Sequence, residues 1–159
     1  MTIEAKLTES LGSVWSESGD VELAALTRFL SGNELDVQGL LSVAKTDTSK
    51  PYGRRVLFQN DDLEVMIASW TRGVPCAPHD HGGSSGAARV LQGRSRHWVW
   101  ALVDGVLRVL KEEVVTAGGV MVCGADMVHS MGDDDANMPL VTLHMYTKSV
   151  DHMVVYDLD

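Results

Sequence analysis

The sequence predicts a mainly β protein, an antiparallel double-sheet jelly roll or barrel with short α-helices ahead of it. Two observations carry that reading. From residue 54 onward, about eight short apolar runs are separated by frequent turn pairs, the pattern of an all-β sandwich or barrel. Before residue 50 the apolar residues recur at helical spacing instead. Length bounds the answer: 159 residues make one ordinary domain, large enough to bury about 70% of its unfolded surface. The expectation is a single domain over 1–159, with a helical segment at 1–50 and a barrel at 51–159.

In the first segment, Leu7, Leu11, Val14 and Trp15 predict one helix. Val21, Leu23, Leu26, Phe29 and Leu30 predict a second. Ser18-Gly19-Asp20 separates them, with Asp20 the candidate N-cap of the second helix. A short third helix is expected over 37–44, and the polar stretch 45–53, which holds Pro51, reads as a connection. Strands are expected at 54–59, 63–70, 87–92, 96–103, 106–115, 119–123, 140–147 and 153–157. The turn pairs between them are Asn60-Asp61, Arg72-Gly73, Gln92-Gly93, Asp104-Gly105 and Ala117-Gly118. Asp104-Gly105 is the clearest hairpin, because Asp-Gly between apolar runs favours a type I′ turn. Trp98 and Trp100 alternate onto one face and are expected to pack between sheet and helices. Asp133-Asp134-Asp135 reads as a solvated loop tip.

Composition excludes several functions. The 45% hydrophobic and 22% charged fractions are those of a soluble globular protein. A net charge of −9 argues against nucleic acid and against an anionic membrane surface, both of which need clustered Lys and Arg. The longest apolar run, 98–103, is far too short to span a bilayer. Two cysteines, Cys76 and Cys123, imply no disulfide framework. The first residues show no basic stretch leading into an apolar one, so no signal peptide is expected and a reducing cytoplasm is the default.

The most informative feature is His79-Asp80-His81 inside the frame Gly73-x5-His79-x-His81-x4-Gly86-x6-Gly93. Residues two apart on an extended strand point to the same face, so this pair can reach one metal ion. A second frame, Gly118-x5-Gly124-x-Asp126-x2-His129-x3-Asp133, supplies a third imidazole from a separate strand. Three neutral nitrogen donors leave a divalent metal with open positions for chemistry. Near the C-terminus, Thr142, His144 and Tyr146 alternate onto one face of a strand, while Leu143 and Met145 face the other way.

The two frames resemble the paired metal motifs of the cupin superfamily, whose fold is a double-stranded β-helix. Many metal cupins add a glutamate ligand after three or four intervening residues. Here those positions are Ser85 and Gly86. Tyr52-Gly53-Arg54, Trp70 ahead of His79-Asp80-His81-Gly82-Gly83-Ser84, and Thr142-Leu143-His144-Met145-Tyr146 extend the resemblance to thiol dioxygenases of the cysteine dioxygenase type. It covers roughly 52–146. It implies one mononuclear Fe(II) held by His79, His81 and His129, with substrate bound through sulfur and its amine. Dioxygen would add both atoms to the sulfur of a small thiol, giving a sulfinate. The resemblance makes Arg54 the carboxylate clamp, Tyr52 and Trp70 further substrate-side residues, and Tyr146 the oxygen-side hydrogen-bond donor supported by His144 and Thr142.

The animal members carry a cysteine that cross-links to the active-site tyrosine. Gly86 stands there in this chain, so no thioether cofactor is expected. Thr147-Lys148 replaces the family's Ser-Pro, which leaves the identity of the thiol open. L-Cysteine is the first choice, since an arginine at position 54 favours it over 3-mercaptopropionate. Competing readings are a non-catalytic metal-binding cupin sensor and a different metal cupin enzyme. The acidic N-terminal helices, without a basic recognition surface, speak against the sensor. Three imidazoles also suit Zn, Ni, Cu or Mn, and the sequence leaves monomer or homo-oligomer open. Isolated histidines are usually satisfied side chains, so His97 and His152 are assigned no role. Arg55 is the alternative to Arg54. Asp80 should point away from the histidine face and support a neighbouring segment, and Cys76 reads as a free structural cysteine.

Overall fold

The computed structural model describes residues 1–148, 150 and 152–158. Among these, the order is α1 (Ile3–Ser10), a 3-10 turn (Leu11–Val14), α2 (Leu23–Ser31) and α3 (Val37–Val43), then eight strands. The strands are β1 (Tyr52–Gln59), β2 (Glu64–Trp70), β3 (Gly86–Gln92), β4 (Arg94–Val103), β5 (Val106–Thr116), β6 (Val120–Cys123), β7 (Val128–Asp133) and β8 (Val141–Tyr146). They form one sheet in the order β1-β2-β8-β3-β6 and a smaller one in the order β5-β4-β7, every pairing antiparallel.

Alternation along the strands builds two apolar layers. Val65, Ile67, Leu143 and Met145 point from the larger sheet to the helices, where they meet Leu7, Leu11, Leu26, Leu30 and Leu40. Each such buried leucine contributes about 1.5–3 kcal/mol. The opposite parity, with Ala68, Trp70, Ala88 and Val90, faces the smaller sheet and packs with Met121, Met131 and Leu140. The helices are pinned as well as packed. Arg89 of β3 donates to the carbonyls of Leu30 (2.9 Å) and Gly32 (2.6 Å), placing a cation at the C-terminus of α2. At the β4–β5 hairpin, Asp104 and Gly105 have φ of 51° and 78°, the two positive values that a type I′ turn demands.

Several sequence expectations are corrected. Asp20 does not cap α2, whose N-cap is Glu22 without a side-chain bond. A Trp15–Val21 bridge keeps the chain extended past Asp20, which instead closes the preceding turn through Ser16 and Ser18. Residues 153–157 are no strand; Val155 makes only an isolated bridge to His79. A strand that the apolar pattern does not mark, β7, is built from Val128-His129-Ser130-Met131-Gly132-Asp133 and pairs with β4. Trp98 and Trp100 belong to the smaller sheet, opposite Ser130 and Val128, and stay half-buried away from the helices. The acidic run is also more than a solvated tip, since Asp134 pairs with both Arg94 and Arg96.

Candidate metal centre and its pocket

His79 and His81 sit in the segment joining β2 to β3 rather than in a regular strand. That segment is nonetheless locally extended. His79 exchanges both backbone hydrogen bonds with His129 of β7, at 2.9 and 3.0 Å. Asp80 points away from the imidazoles and accepts from the Gly82 and Val154 amides, both at 3.0 Å, which ties down the C-terminal stretch. The i, i+2 geometry expected of a strand is thus recovered by one residue of cross-strand pairing.

The three rings converge, with centroids 4.7 to 5.1 Å apart, and one ring nitrogen from each lies within 4.8 Å of the others. Neighbours engage every Nδ1. That of His79 lies 2.8 Å from the Ala77 carbonyl, which can only accept, so the proton sits on Nδ1. His81 turns Nδ1 to the Cys123 sulfur at 3.4 Å, and His129 turns Nδ1 to Nε2 of His97 at 2.8 Å. Nε2 is left to face the common centre in each case. The His81 and His129 Nε2 atoms are 3.2 Å apart. Two nitrogens each about 2.1 Å from one divalent ion lie roughly 3–3.5 Å apart, so the donor set fits a shared metal. Burial pushes all three pKa values down, that of His81 to about 4 and that of His129 well below the ordinary range. The imidazoles are therefore neutral at pH 7, the form that binds metal.

His97, which the sequence leaves without a role, proves to be part of the centre. It is buried, and its Nδ1 lies 3.1 Å from the Glu113 carboxylate while its Nε2 meets His129. Burial lowers its pKa despite Glu113, so a neutral imidazole donates to the carboxylate and the contact is a hydrogen bond rather than an ion pair. The protons then run one way: His129 donates to His97, and His97 donates to Glu113. His152 is exposed.

A second chain lies on β8. Trp70 donates through its indole to the Thr142 hydroxyl (2.9 Å), which is 2.7 Å from His144 Nε2. His144 Nδ1 is 3.1 Å from the Tyr146 oxygen. Trp can only donate, and Thr142 is wholly buried, so the arrangement that satisfies every proton has Thr142 donating to His144 and His144 donating to Tyr146. The Tyr146 O–H is then free to donate into the pocket. Burial lowers the His144 pKa to about 3 and raises that of Tyr146 well above 10, keeping both neutral. Trp70, expected as a substrate-side residue, is the donor that starts this chain, and its ring packs on Tyr52 with centroids 4.7 Å apart.

Arg54 and Arg55 part by strand parity. Arg55 reaches Glu4 and the Val43 carbonyl on the helix side. Arg54 turns to the pocket, where it donates to Glu64 and lies 2.9 Å, through Nε, from the Met66 sulfur. Sequence reasoning passed over Glu64, although it is an even number of residues from Trp70 and so shares its face. The cavity beside the histidines holds ≈ 260 Å³ and is lined by Tyr52, Arg54, Glu64, His79, His81 and Tyr146, together with Met66, Val150 and Met153. Gly86 lies between Tyr146 and Cys123 in register, and a Cβ there would stand 2.5 Å from the tyrosine ring. The absence of a side chain is what lets Tyr146 lie flat at this point.

Comparison with solved structures places this architecture among double-stranded β-helix proteins. An uncharacterized conserved protein with that domain from Klebsiella pneumoniae superposes with a TM-score of 0.58 at 13% identity, over 75% of this chain and 95% of that one. An oxalate oxidase in complex with glycolate gives 0.56 at 18% identity, over 72% and 60% of the two chains. The Lactobacillus farciminis oxalate decarboxylase gives 0.55 at 16%, over 72% and 34%. At these identities the likeness is one of fold. Sequence relationship is more specific, because residues 14–159 match the family described as cysteine dioxygenase type I. The chain is a member of the cysteine dioxygenase type I family, built on a cupin fold.

Proposed function

We propose that the protein is a thiol dioxygenase that converts L-cysteine, or a closely related small carboxylated thiol, to its sulfinic acid. The carrying observation is the meeting of three neutral imidazoles, with no carboxylate among them, beside a tyrosine whose hydroxyl proton is directed into the adjoining cavity. A ferrous ion held by His79, His81 and His129 would supply the one-electron chemistry that lets dioxygen react with a thiolate. The chain's own residues do the rest. Arg54, at the pocket edge, offers a planar guanidinium to the substrate carboxylate. Tyr146 donates its proton to oxygen, held in aim by His144 and Thr142 and fixed in direction by Trp70. Tyr52 and Met66 complete the lining beside Arg54. The balance is complete without a further reductant: two S–O bonds form, the O–O bond breaks, sulfur loses four electrons and dioxygen takes them up.

The two buried thiols, Cys76 and Cys123, are unpaired, in keeping with a reducing cytoplasm. No described helix is long and apolar enough to cross a membrane. The test is anaerobic loading with Fe(II), followed by oxygen uptake and product mass with cysteine, cysteamine and 3-mercaptopropionate. A product about 32 mass units heavier than the thiol, two oxygen atoms on the sulfur oxidation ladder, is the expected result. Stoichiometric iron with no oxygen uptake on any of the three thiols would overturn the reading.

A further inference from the structure

We infer that Glu64 is a specificity-determining residue that selects a thiol bearing an amino group over one whose only charge is a carboxylate; this rests on the thiol-binding reading above. The observation behind it is the asymmetry of the Arg54–Glu64 pair. The Glu64 side chain is 1% exposed, whereas that of Arg54 is 44% exposed. The anion therefore lies inside and the cation toward solvent. In register, Glu64 stands opposite Tyr146 of β8 on one side and Gln59 of β1 on the other. Its Oε1 accepts from Arg54 and its Oε2 from the Gln59 amide at 3.2 Å. Both charged groups line the cavity that His79 and His81 share.

A ligand carboxylate that takes the guanidinium competes with Glu64 for it. A thiol with a carboxylate alone draws Arg54 away and leaves a buried carboxylate with a neutral amide as its remaining described partner. Burying an ion stripped of its countercharge is strongly unfavourable. An aminothiol repairs the loss, because its N–H groups donate to Glu64 while its carboxylate, if it has one, meets Arg54. An amine whose lone pair is engaged elsewhere still keeps N–H donors for this purpose. A zwitterionic α-amino acid satisfies both members of the pair, and a simple ω-mercapto acid satisfies one at the other's expense.

The experiment is an anaerobic titration of Co(II)-loaded protein with L-cysteine, cysteamine and 3-mercaptopropionate, read by thiolate-to-cobalt absorption. In the unmodified protein both aminothiols should bind at least as tightly as 3-mercaptopropionate, with cysteine about tenfold tighter. Glu64→Gln should shrink the cysteine preference by about tenfold, equivalent to ~1.4 kcal/mol, chiefly through tighter 3-mercaptopropionate binding. A purely structural Glu64 would weaken all three thiols in parallel. Parallel loss, an unchanged ratio, or a preference of the unmodified protein for 3-mercaptopropionate over both aminothiols would each overturn the inference. The last comparison needs no variant, so it decides even if Glu64→Gln fails to fold. Binding is read without oxygen, so inactivity of the iron-loaded protein would sink the dioxygenase reading while leaving this one standing.

Discussion

His97→Phe is the perturbation that most directly tests how the metal centre is organised. The ring of His97 is 2% exposed and joins His129 Nδ1, at 2.8 Å, to the Glu113 carboxylate, at 3.1 Å. Phenylalanine keeps a planar ring in the space and removes both bonds. Two separable effects follow. In the metal-free protein the buried Nδ1–H of His129 loses its acceptor, which costs about 1–3 kcal/mol of stability. In the loaded protein His129 is no longer polarised or aimed by a hydrogen-bonded partner, and loss of such support lowers metal affinity by about 10–100-fold. Competition against a chelator of known affinity at pH 7.5 reads the second effect, and urea unfolding of the metal-free protein reads the first. Glu113→Gln leaves His97 in place and has a more exposed carboxylate to replace, so its affinity loss should stay under about tenfold. Metal affinity within about threefold of the unmodified protein in His97→Phe, whatever the change in stability, would refute the reasoning that the Glu113–His97 chain supports His129.

Two further outcomes follow from the β8 chain. Thr142→Val removes a hydroxyl that both accepts from Trp70 and donates to His144, leaving two buried nitrogens without partners. Stability should fall by about 2–4 kcal/mol in urea, and nitrogen NMR should show His144 losing its single Nδ1–H tautomer; a sharp, unchanged tautomer signal would contradict the proton order given above. The second concerns pH. His144 has a folded-state pKa near 3 against an ordinary 6.5, so below pH 6.5 the unfolded chain takes up a proton that the folded one refuses. Stability of the metal-free protein should therefore fall as pH drops, by about 2 kcal/mol from this group between pH 7 and 5. Equal urea stability at the two pH values, or a charged His144 ring at pH 5 by NMR, would be incompatible with its burial.

What the sequence made legible was whatever parity and spacing could carry. Thr142, His144 and Tyr146 share a face because β-strand side chains alternate, and the alternation survives in β8 without a bulge. The histidine frames pointed to a convergent trio even though His79 and His81 lie outside a regular strand. Less legible was everything that depends on which strands become neighbours. His97 looked like an isolated histidine in an apolar run. Its role appears only because β4 pairs with β7 so that Val99 stands opposite His129 and His97 lies one inward position away. β7 itself was obscured because Ser130, Gly132 and Asp133 interrupt its apolar residues, and pairing rather than hydrophobicity holds it in the sheet. Residues 153–157 erred in the opposite direction: apolar enough to read as a strand, they are held instead by the His79 bridge, the Asp80 and Pro78 backbone and the Asp80 carboxylate.

Glu64 joins the two cases. Its parity with Trp70 was visible in the sequence, but a charged residue at the head of a strand normally points to solvent, and nothing local says that Arg54 will stand across the sheet to meet it. The register that sets Tyr52 against Trp70 shifts by one residue at a bulge between Val56 and Phe58, and the shifted register sets Gln59 against Glu64, while Tyr146 closes the other side. The pairing of these three strands thus sets Arg54, Glu64 and Tyr146 around one cavity. A slip of one residue between β1 and β2 would turn Arg54 toward the helices and Arg55 into the pocket, so the register itself is the device that selects which arginine can meet a ligand.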